Sequence, residues 1–465
     1  MCGNRGLAPI SLRSRLRSAQ PAHPVLRLHR LRIRRLLLLV ASLIAVAGCT
    51  PSAEQNVLAY LLAQRLGTLA VDPPPGGPAG ALTGVVLHGD QPIPGASVVV
   101  AGRYGTPHAA QTGPDGRYRI EGVPPGQYTP AAIAPGYTEA VPHDPLGIPR
   151  LVTIEAGRTA QAPPIVLTRH TPQPLPAPLA EQVNLTRTGV DIASAPFPIG
   201  AAAQVERFAF TYAGATVDSL RLYLPLDGPP NERLPMLFLV YPSHSDNWEP
   251  VSVAFAAEGY AVVAVSPIAA RGMDIDAHAQ DSRIAFALAQ NGDLSPRIAP
   301  GPAVALGGSF SSPILHRFLR DERERVAAWI TLGGISDAFS ATADFYAKRL
   351  EVPPQYSLAI PALGLPNLYP LPFLRYSPVY AAAELPPTMV IHTAADRITP
   401  IDQAFRLERA LIDADVPVEV FYYEDVSHYL QIGADLTDAG AEMYYRILAF
   451  IAQYLTSPHA AAVVD

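Results

Sequence analysis

The sequence predicts a multidomain protein, a small all-β sandwich followed by an α/β domain built on a mostly parallel sheet. Three observations carry this reading. Between residues 81 and 169 short β-type runs recur at regular intervals between turn residues, and beyond residue 204 apolar runs of strand length alternate with helical segments. Proline-rich stretches at 72–78 and 170–178 mark the joins. With 465 residues, 49% hydrophobic and 16% charged, the chain can bury a sizeable core, and its 50 prolines favour turns and connectors over long helices.

The formal charge of −6 hides an asymmetry, because residues 1–48 hold nine arginines and no acids. Without them the chain carries 25 basic against 40 acidic residues, a balance of −15 that repels phosphate backbones and argues against nucleic-acid binding. Arg27, Arg30, Arg32, Arg34 and Arg35 precede an apolar run from Leu36 to Ala47, too short to span a bilayer but suited to a signal-peptide core. The run closes in Val46-Ala47-Gly48-Cys49, which resembles a bacterial lipobox. That resemblance implies cleavage after residue 48, acylation of Cys49 and anchoring to the cell envelope outside the cytoplasm. Cys2 is the only other cysteine, so the exported chain has no disulfide to form. Residues 49–80 then read as a tether and linker, with helical spacing at Val57, Leu58, Leu61, Leu62 and Leu66.

In the 81–169 segment, Gly84–Leu87, Ala96–Val100, Tyr118–Ile120 and Tyr128–Ile133 read as strands, with a turn at Pro114-Asp115-Gly116. The runs Gln91 to Val98, Thr112 to Tyr118, Gly122 to Tyr128 and Gly136-Tyr137 together resemble the carboxypeptidase regulatory-like domain, which implies a prealbumin-like sandwich. The segment shows no cluster of ligating residues at metal spacing, so a structural or adhesive role is expected, with carbohydrate binding as the livelier alternative.

Residues 170–203 read as a second linker, 204–457 as the α/β domain, and 458–465 as a tail. Expected strands are Arg207–Tyr212, Asp218–Pro225, Met236–Tyr241, Ala261–Ser266, Ala303–Leu306, Val326–Leu332, Thr388–Thr393 and Val418–Tyr423. The run Ala303 to Leu306 ends in Gly307-Gly308-Ser309-Phe310-Ser311, followed at once by a helix-compatible segment. A strand, sharp turn and helix expose the turn residue at the sheet edge and demand small neighbours two positions away, here Gly307 and Ser311, so Ser309 is the candidate nucleophile. A serine hydroxyl needs a base, and the base needs an acid to orient it. Asp396 follows the strand Thr388–Thr393, and His428 follows Val418–Tyr423, both at strand C-terminal ends. Asp337, one strand earlier, is an alternative acid.

The order Ser309, Asp396, His428, with Tyr376-Ser377-Pro378, the acid loop His392-Thr393-Ala394-Ala395-Asp396 and Ser427-His428, resembles the α/β-hydrolase superfamily, nearest its prolyl oligopeptidase and dienelactone hydrolase-like branches. Thr393 stands where that acid loop has glycine, and Tyr241-Pro242 where many members have His-Gly. The resemblance implies a serine hydrolase, using no metal or organic cofactor, that cleaves an ester or peptide bond of a small-molecule or peptide substrate. An oxyanion hole is expected from the N–H groups of Phe310 and Ser243, with the Tyr241 hydroxyl as a candidate third donor; His244 has no assigned role. Residues 338–386, rich in aromatic and aliphatic side chains and proline, are too long for a simple connection and are expected to form a lid over an apolar pocket. The rival readings are a prolyl oligopeptidase-type peptidase and a non-catalytic surface-binding protein on the same fold.

Overall fold

The computed structural model describes residues 51–455 except 230, 425 and 429–437. Cys49, the segment expected to be a signal peptide and the 458–465 tail lie outside the described residues.

Helix α1 (Ala53–Leu66) opens the described chain, capped by Ser52 and Gln55 in a reciprocal capping box and closed by Gly67 in the left-handed conformation. It is not a free tether. Asn56 Nδ2 donates to Ala362 O at 3.1 Å, and the Tyr60 ring packs on Phe345 and Tyr346. The linker beyond it is clipped as well, since the Asp72 carboxylate accepts from the N–H groups of Tyr104 and Thr106 at 2.9–3.2 Å.

Strands Gly80–His88 and Arg117–Val123 pair antiparallel, and Ser97–Ala101 lies between Pro107–Gln111 and Ala131–Ile133. The expected strand Tyr128–Ile133 is split into Gly126–Tyr128 and Ala131–Ile133, which belong to different sheets. The run Ser97–Ala101 is apolar without alternation because both its faces are covered. Val98 and Val100 enter the sandwich's own core with Leu82, Tyr118 and Ile165, whereas Val99 and Ala101 join Leu220, Phe238 and Phe318 in the core of the α/β domain.

Among the described residues the sheet of the α/β domain has nine strands: β1 (Thr186–Ser194), β2 (Ala202–Tyr212), β3 (Ala215–Pro225), β4 (Met236–Val240), β5 (Ala261–Val265), β6 (Ala303–Gly308), β7 (Val326–Leu332), β8 (Thr388–Thr393) and β9 (Val418–Tyr423). Their spatial order is β1-β2-β3-β5-β4-β6-β7-β8-β9, antiparallel from β1 to β5 and parallel from there on. β1 corrects the expected 170–203 linker. It is an edge strand exposed along nearly its whole length, so its sequence lacks the apolar run that signals burial. Around it the chain is also held, with His170 Nε2 2.5 Å from Asp321 and Gln173 O accepting from Arg283 at 2.8 Å.

Side chains alternate between the two faces of the sheet. Met236, Phe238 and Val240 meet one layer, formed by α3 (Ile275–Gln290), α4 (Ser311–Glu322) and α8 (Asp402–Asp413). Leu237 and Leu239 meet the other, formed by α2 (Glu249–Ala257) and α9 (Asp438–Tyr454). The insertion between β7 and β8 contributes α5 (Ala338–Tyr346), α6 (Ala359–Ala362) and α7 (Pro370–Arg375). Each fully buried aromatic or leucine contributes roughly 1.5–3 kcal/mol relative to exposure.

Sandwich and α/β domain belong to one compact unit, Ser52–Asp465. At their junction the side chain of Glu139 is fully buried and accepts from Arg317 at 3.2 Å, Arg320 at 2.8 Å and Arg375 at 2.6 Å. Burial would raise this carboxyl's pKa, but the three guanidiniums overcome that and hold it well below the usual carboxylate range. Arg317 and Arg320 lie on α4, the helix that begins directly after Ser309.

Candidate active site

Where β4 and β6 adjoin, the chain departs in opposite directions: β4 leads to β5 on one side, and β6 to β7 on the other. This is the topological switch point at which open α/β sheets form their crevice, and Ser309 stands at its mouth. Its φ is +51°, a left-handed conformation that costs a non-glycine residue about 1–3 kcal/mol. The surroundings impose it. Ser309 N donates to Leu332 O at 3.1 Å, its carbonyl accepts from Ser312 and Ile335 N–H at 3.3 Å, and Ser311 Oγ bridges Gly308 N and O at 3.0 and 2.7 Å. The small neighbours are required: a Cβ on Gly307 would meet Val240 O at 2.7 Å, and one on Gly308 would meet Leu332 O at 2.0 Å.

The structure brings the three expected side chains together. His428 Nε2 lies 3.0 Å from Ser309 Oγ, and His428 Nδ1 lies 2.6 Å from Asp396 Oδ2. The second carboxylate oxygen, Oδ1, accepts from the N–H groups of Ile398 and Thr399 at 2.8 Å each, which fixes the acid. Behind it the buried His392 ring approaches Asp396 Oδ2 at 4.0 Å, and burial lowers its pKa. Asp337 is placed elsewhere: fully buried, it caps α5 through Phe339 and Ser340 N–H and pairs with Arg406 at 3.5 Å. Burial raises its pKa against that pairing.

Phe310 occupies the N-cap of α4, where an N–H has no intrahelical acceptor, and both Phe310 and Ser243 border the cavity over Ser309. The Tyr241 ring lines the same cavity, but its hydroxyl is buried 3.0 Å from Ser252 Oγ on α2, and burial raises its pKa. The expected Tyr241 donor is therefore corrected: the hydroxyl is engaged in packing helix α2, a contact that the sequence of the β4 loop does not encode. His244 lies outside the cavity lining and is half-exposed, between Asp218 and Asp246.

The cavity over Ser309 has a volume of about 250 Å³. The insertion supplies Ala341, Leu350, Val352, Pro353, Tyr356, Ala359 and Ile360 to its wall, so the first half covers the serine as a lid would. The second half does not. Phe373, Leu374 and Tyr376 are buried in the domain core, and Asn367 and Leu368 bond to Gln127 and Thr129 of the sandwich at 2.8–3.0 Å.

Several residues that shape the site carry weak sequence signals. Trp248 stacks on Tyr241 at 5.4 Å and donates Nε1–H to Ser243 Oγ at 2.8 Å, steadying the loop that follows β4. A Cβ on Gly334 would lie 2.3 Å from Thr331 Oγ1 and 2.4 Å from Ser312 Oγ; only the Gly333-Gly334 pair after β7 hinted at such a close approach. Gln403 holds Ser336 N and Asp337 N at 2.9 and 2.8 Å beneath the cavity. Among the described residues no group of three His, Cys, Asp or Glu could hold a metal ion.

Fold and site define the class: the C-terminal domain has an α/β-hydrolase-like fold with a mostly parallel sheet, and the protein is a serine hydrolase. Residues 370–458, which include Asp396 and His428, match the prolyl oligopeptidase family, and residues 81–168 match the carboxypeptidase regulatory-like domain. Among solved structures the chain is similar to Thermogutta terrifontis esterase 2 phosphonylated by sarin (17% identity, TM-score 0.38, covering 52% of this chain and 92% of that one). It is similar too to a bacterial heroin esterase (17%, 0.42, 58% and 85%) and to Pyrococcus horikoshii acylaminoacyl peptidase (13%, 0.44, 78% and 54%). A comparison with curated proteins found no match.

Proposed function

We propose that this protein is an exported, lipid-anchored carboxylesterase that cleaves apolar acyl esters through an acyl-serine intermediate. His428 Nε2, 3.0 Å from Ser309 Oγ, takes the hydroxyl proton as Oγ attacks the acyl carbonyl. Asp396, 2.6 Å from Nδ1, keeps the imidazole in the tautomer that leaves Nε2 free to accept, and stabilises the imidazolium that forms. The N–H groups of Phe310 and Ser243 receive the developing oxyanion, and the positive end of the α4 dipole adds to the same field. The imidazolium then protonates the departing alkoxide. Water, deprotonated by the same imidazole, releases the acyl group and restores Ser309.

The observation that favours an ester is the lining of the cavity. Among its described residues there is no Asp, Glu, Lys or Arg, so nothing there would pair with a peptide's terminal amine or carboxylate, whereas an acyl chain needs only the apolar wall. The match to the prolyl oligopeptidase family supports peptidase activity as the second reading. Nitrophenyl esters of rising chain length, assayed beside proline-containing anilides and against Ser309→Ala, separate the two. Turnover of esters alone is expected, and faster release from the anilides would overturn the ester reading. The anchor is tested by fatty-acid incorporation, expected in the native protein and lost in Cys49→Ala.

A further inference from the structure

Helix α1 is inside out for a helix on a protein surface. Its apolar residues would be expected to face the protein, yet the face turned inward carries Asn56, Val57, Tyr60 and Ala63. The four leucines stand on the opposite face, with Leu58 68%, Leu61 43%, Leu62 41% and Leu66 55% exposed. At 100° per residue they fall within one arc of about 140°. The only charged side chains on that face are Glu54 and Arg65, and Arg65 is long enough to raise its head group out of an apolar layer. The lid segment beside the helix continues in kind, since Tyr356 and Leu358 are 46% and 39% exposed.

We propose that the leucine face of α1 docks on a phospholipid bilayer, and that the enzyme draws its ester substrate from that bilayer. This deepens the esterase reading and rests on it and on acylation of Cys49. The choice of a membrane over other occupants comes from where the helix sits in the chain. Its first residue, Ala53, follows Cys49 by four positions, so an acylated Cys49 would lie at most ~14 Å away even if the connection were fully extended. A helix so tethered is always within reach of the headgroup layer, and its exposed apolar face has somewhere to go. The link to catalysis is the other face. Asn56 bonds to Ala362 of α6, and Ala359 and Ile360 of the same short helix line the cavity over Ser309. One helix, roughly 10 Å across, thus separates the docking face from the lid wall of the active site.

The test uses the full, processed protein with a fluorophore on Leu62→Cys, mixed with phosphatidylcholine–phosphatidylglycerol vesicles carrying spin-labelled acyl chains. Quenching by shallow chain labels is expected. A probe that stays unquenched while the protein is vesicle-bound overturns the docking and leaves the anchor standing, because fatty-acid incorporation at Cys49 is read separately. A probe already shielded without vesicles, or a disulfide that forms between two unlabelled Leu62→Cys chains, assigns the face to another segment of this chain or to a second copy, and equally overturns the proposal. The activity arm compares Leu58→Glu/Leu62→Glu with wild type. Hydrolysis of a vesicle-resident diacylglycerol is expected to fall at least tenfold, and that of a water-soluble butyrate ester to stay within about twofold. Equal loss on both substrates overturns the proposal, and no wild-type turnover of the soluble ester overturns the esterase reading instead.

Discussion

Replacing Glu139 by Gln keeps the shape of a fully buried side chain and removes the one charge that three guanidiniums share. Removing one partner of a buried ion pair typically costs about 3–5 kcal/mol. Here the lower end applies, because Arg317 and Arg375 keep Asp276 at 2.6 and 3.3 Å, and the buried Arg320 keeps Glu384 at 3.0 Å and the Tyr137 carbonyl. With an unfolding entropy of about 2.1 cal/mol/K per residue over a single unit of roughly 400 residues, about 3 kcal/mol corresponds to a fall of roughly 3–5 °C in the melting temperature of the full chain, followed by calorimetry. Glu121→Gln, which breaks an exposed pair with Arg119, serves as the control and should shift it by less than about 2 °C. The deficit has a definite pH dependence. Since the folded carboxyl titrates below its unfolded value of about 4.3, its contribution is complete above that value and is lost as pH falls through the lower folded one. The gap between wild type and variant should therefore be constant near neutrality and narrow below about pH 4. A melting temperature unchanged by Glu139→Gln, or a wild type that melts in two transitions with the sandwich alone, would refute the claim that this cluster fuses the domains.

Asp396→Asn should lower kcat by about 10⁴ through loss of the oriented tautomer. Asp337→Asn should leave kcat within about threefold and cost no more than about 1 kcal/mol of stability, because Asn caps α5 as well as Asp and only the pairing with half-exposed Arg406 is lost, so steady-state rates beside melting curves assign the acid. Tyr241→Phe should keep kcat within about threefold because its hydroxyl is engaged with Ser252; a loss of 10² to 10³ would show that the hydroxyl turns to the oxyanion during turnover. Trp248→Phe keeps the stack on Tyr241 but removes the donor to Ser243 Oγ, and kcat should fall about tenfold with KM nearly unchanged, the signature of a lost transition-state contact.

Strands with continuous apolar runs were legible in the sequence: Val326–Leu332 and Thr388–Thr393, buried on both faces, and the half-buried edge strand Val418–Tyr423 stand where their β-branched and aromatic residues place them. Ser309, Asp396 and His428 were legible for a related reason, since each closes or follows such a strand at the same sheet edge. What escaped was structure whose stabilisation lies elsewhere in the chain. Thr186–Ser194 sets the single apolar residues Val190 and Ile192 among threonine, arginine, aspartate and small residues because solvent covers it, and only its pairing with Ala202–Tyr212 makes it a strand. The orientation of α1 depends on Ala362, some three hundred residues away. Likewise the aromatics of 338–386 show that the insertion is apolar, but not that Tyr356 borders the cavity while Phe373 fills the core.

The two-faced strand Ser97–Ala101 limits how this architecture can change over generations. In proteins assembled like beads on a string, recombination at a proline-rich join exchanges modules freely, because each carries its whole core with it. Here a donor sandwich could bring its own equivalents of Val98 and Val100, but Val99 and Ala101 belong to the buried cluster of the α/β domain across the join. A foreign module would present unmatched odd-numbered side chains to the α/β core and take from Arg317, Arg320 and Arg375 the carboxylate they share. The two parts are therefore expected to have diversified in step, as one heritable block.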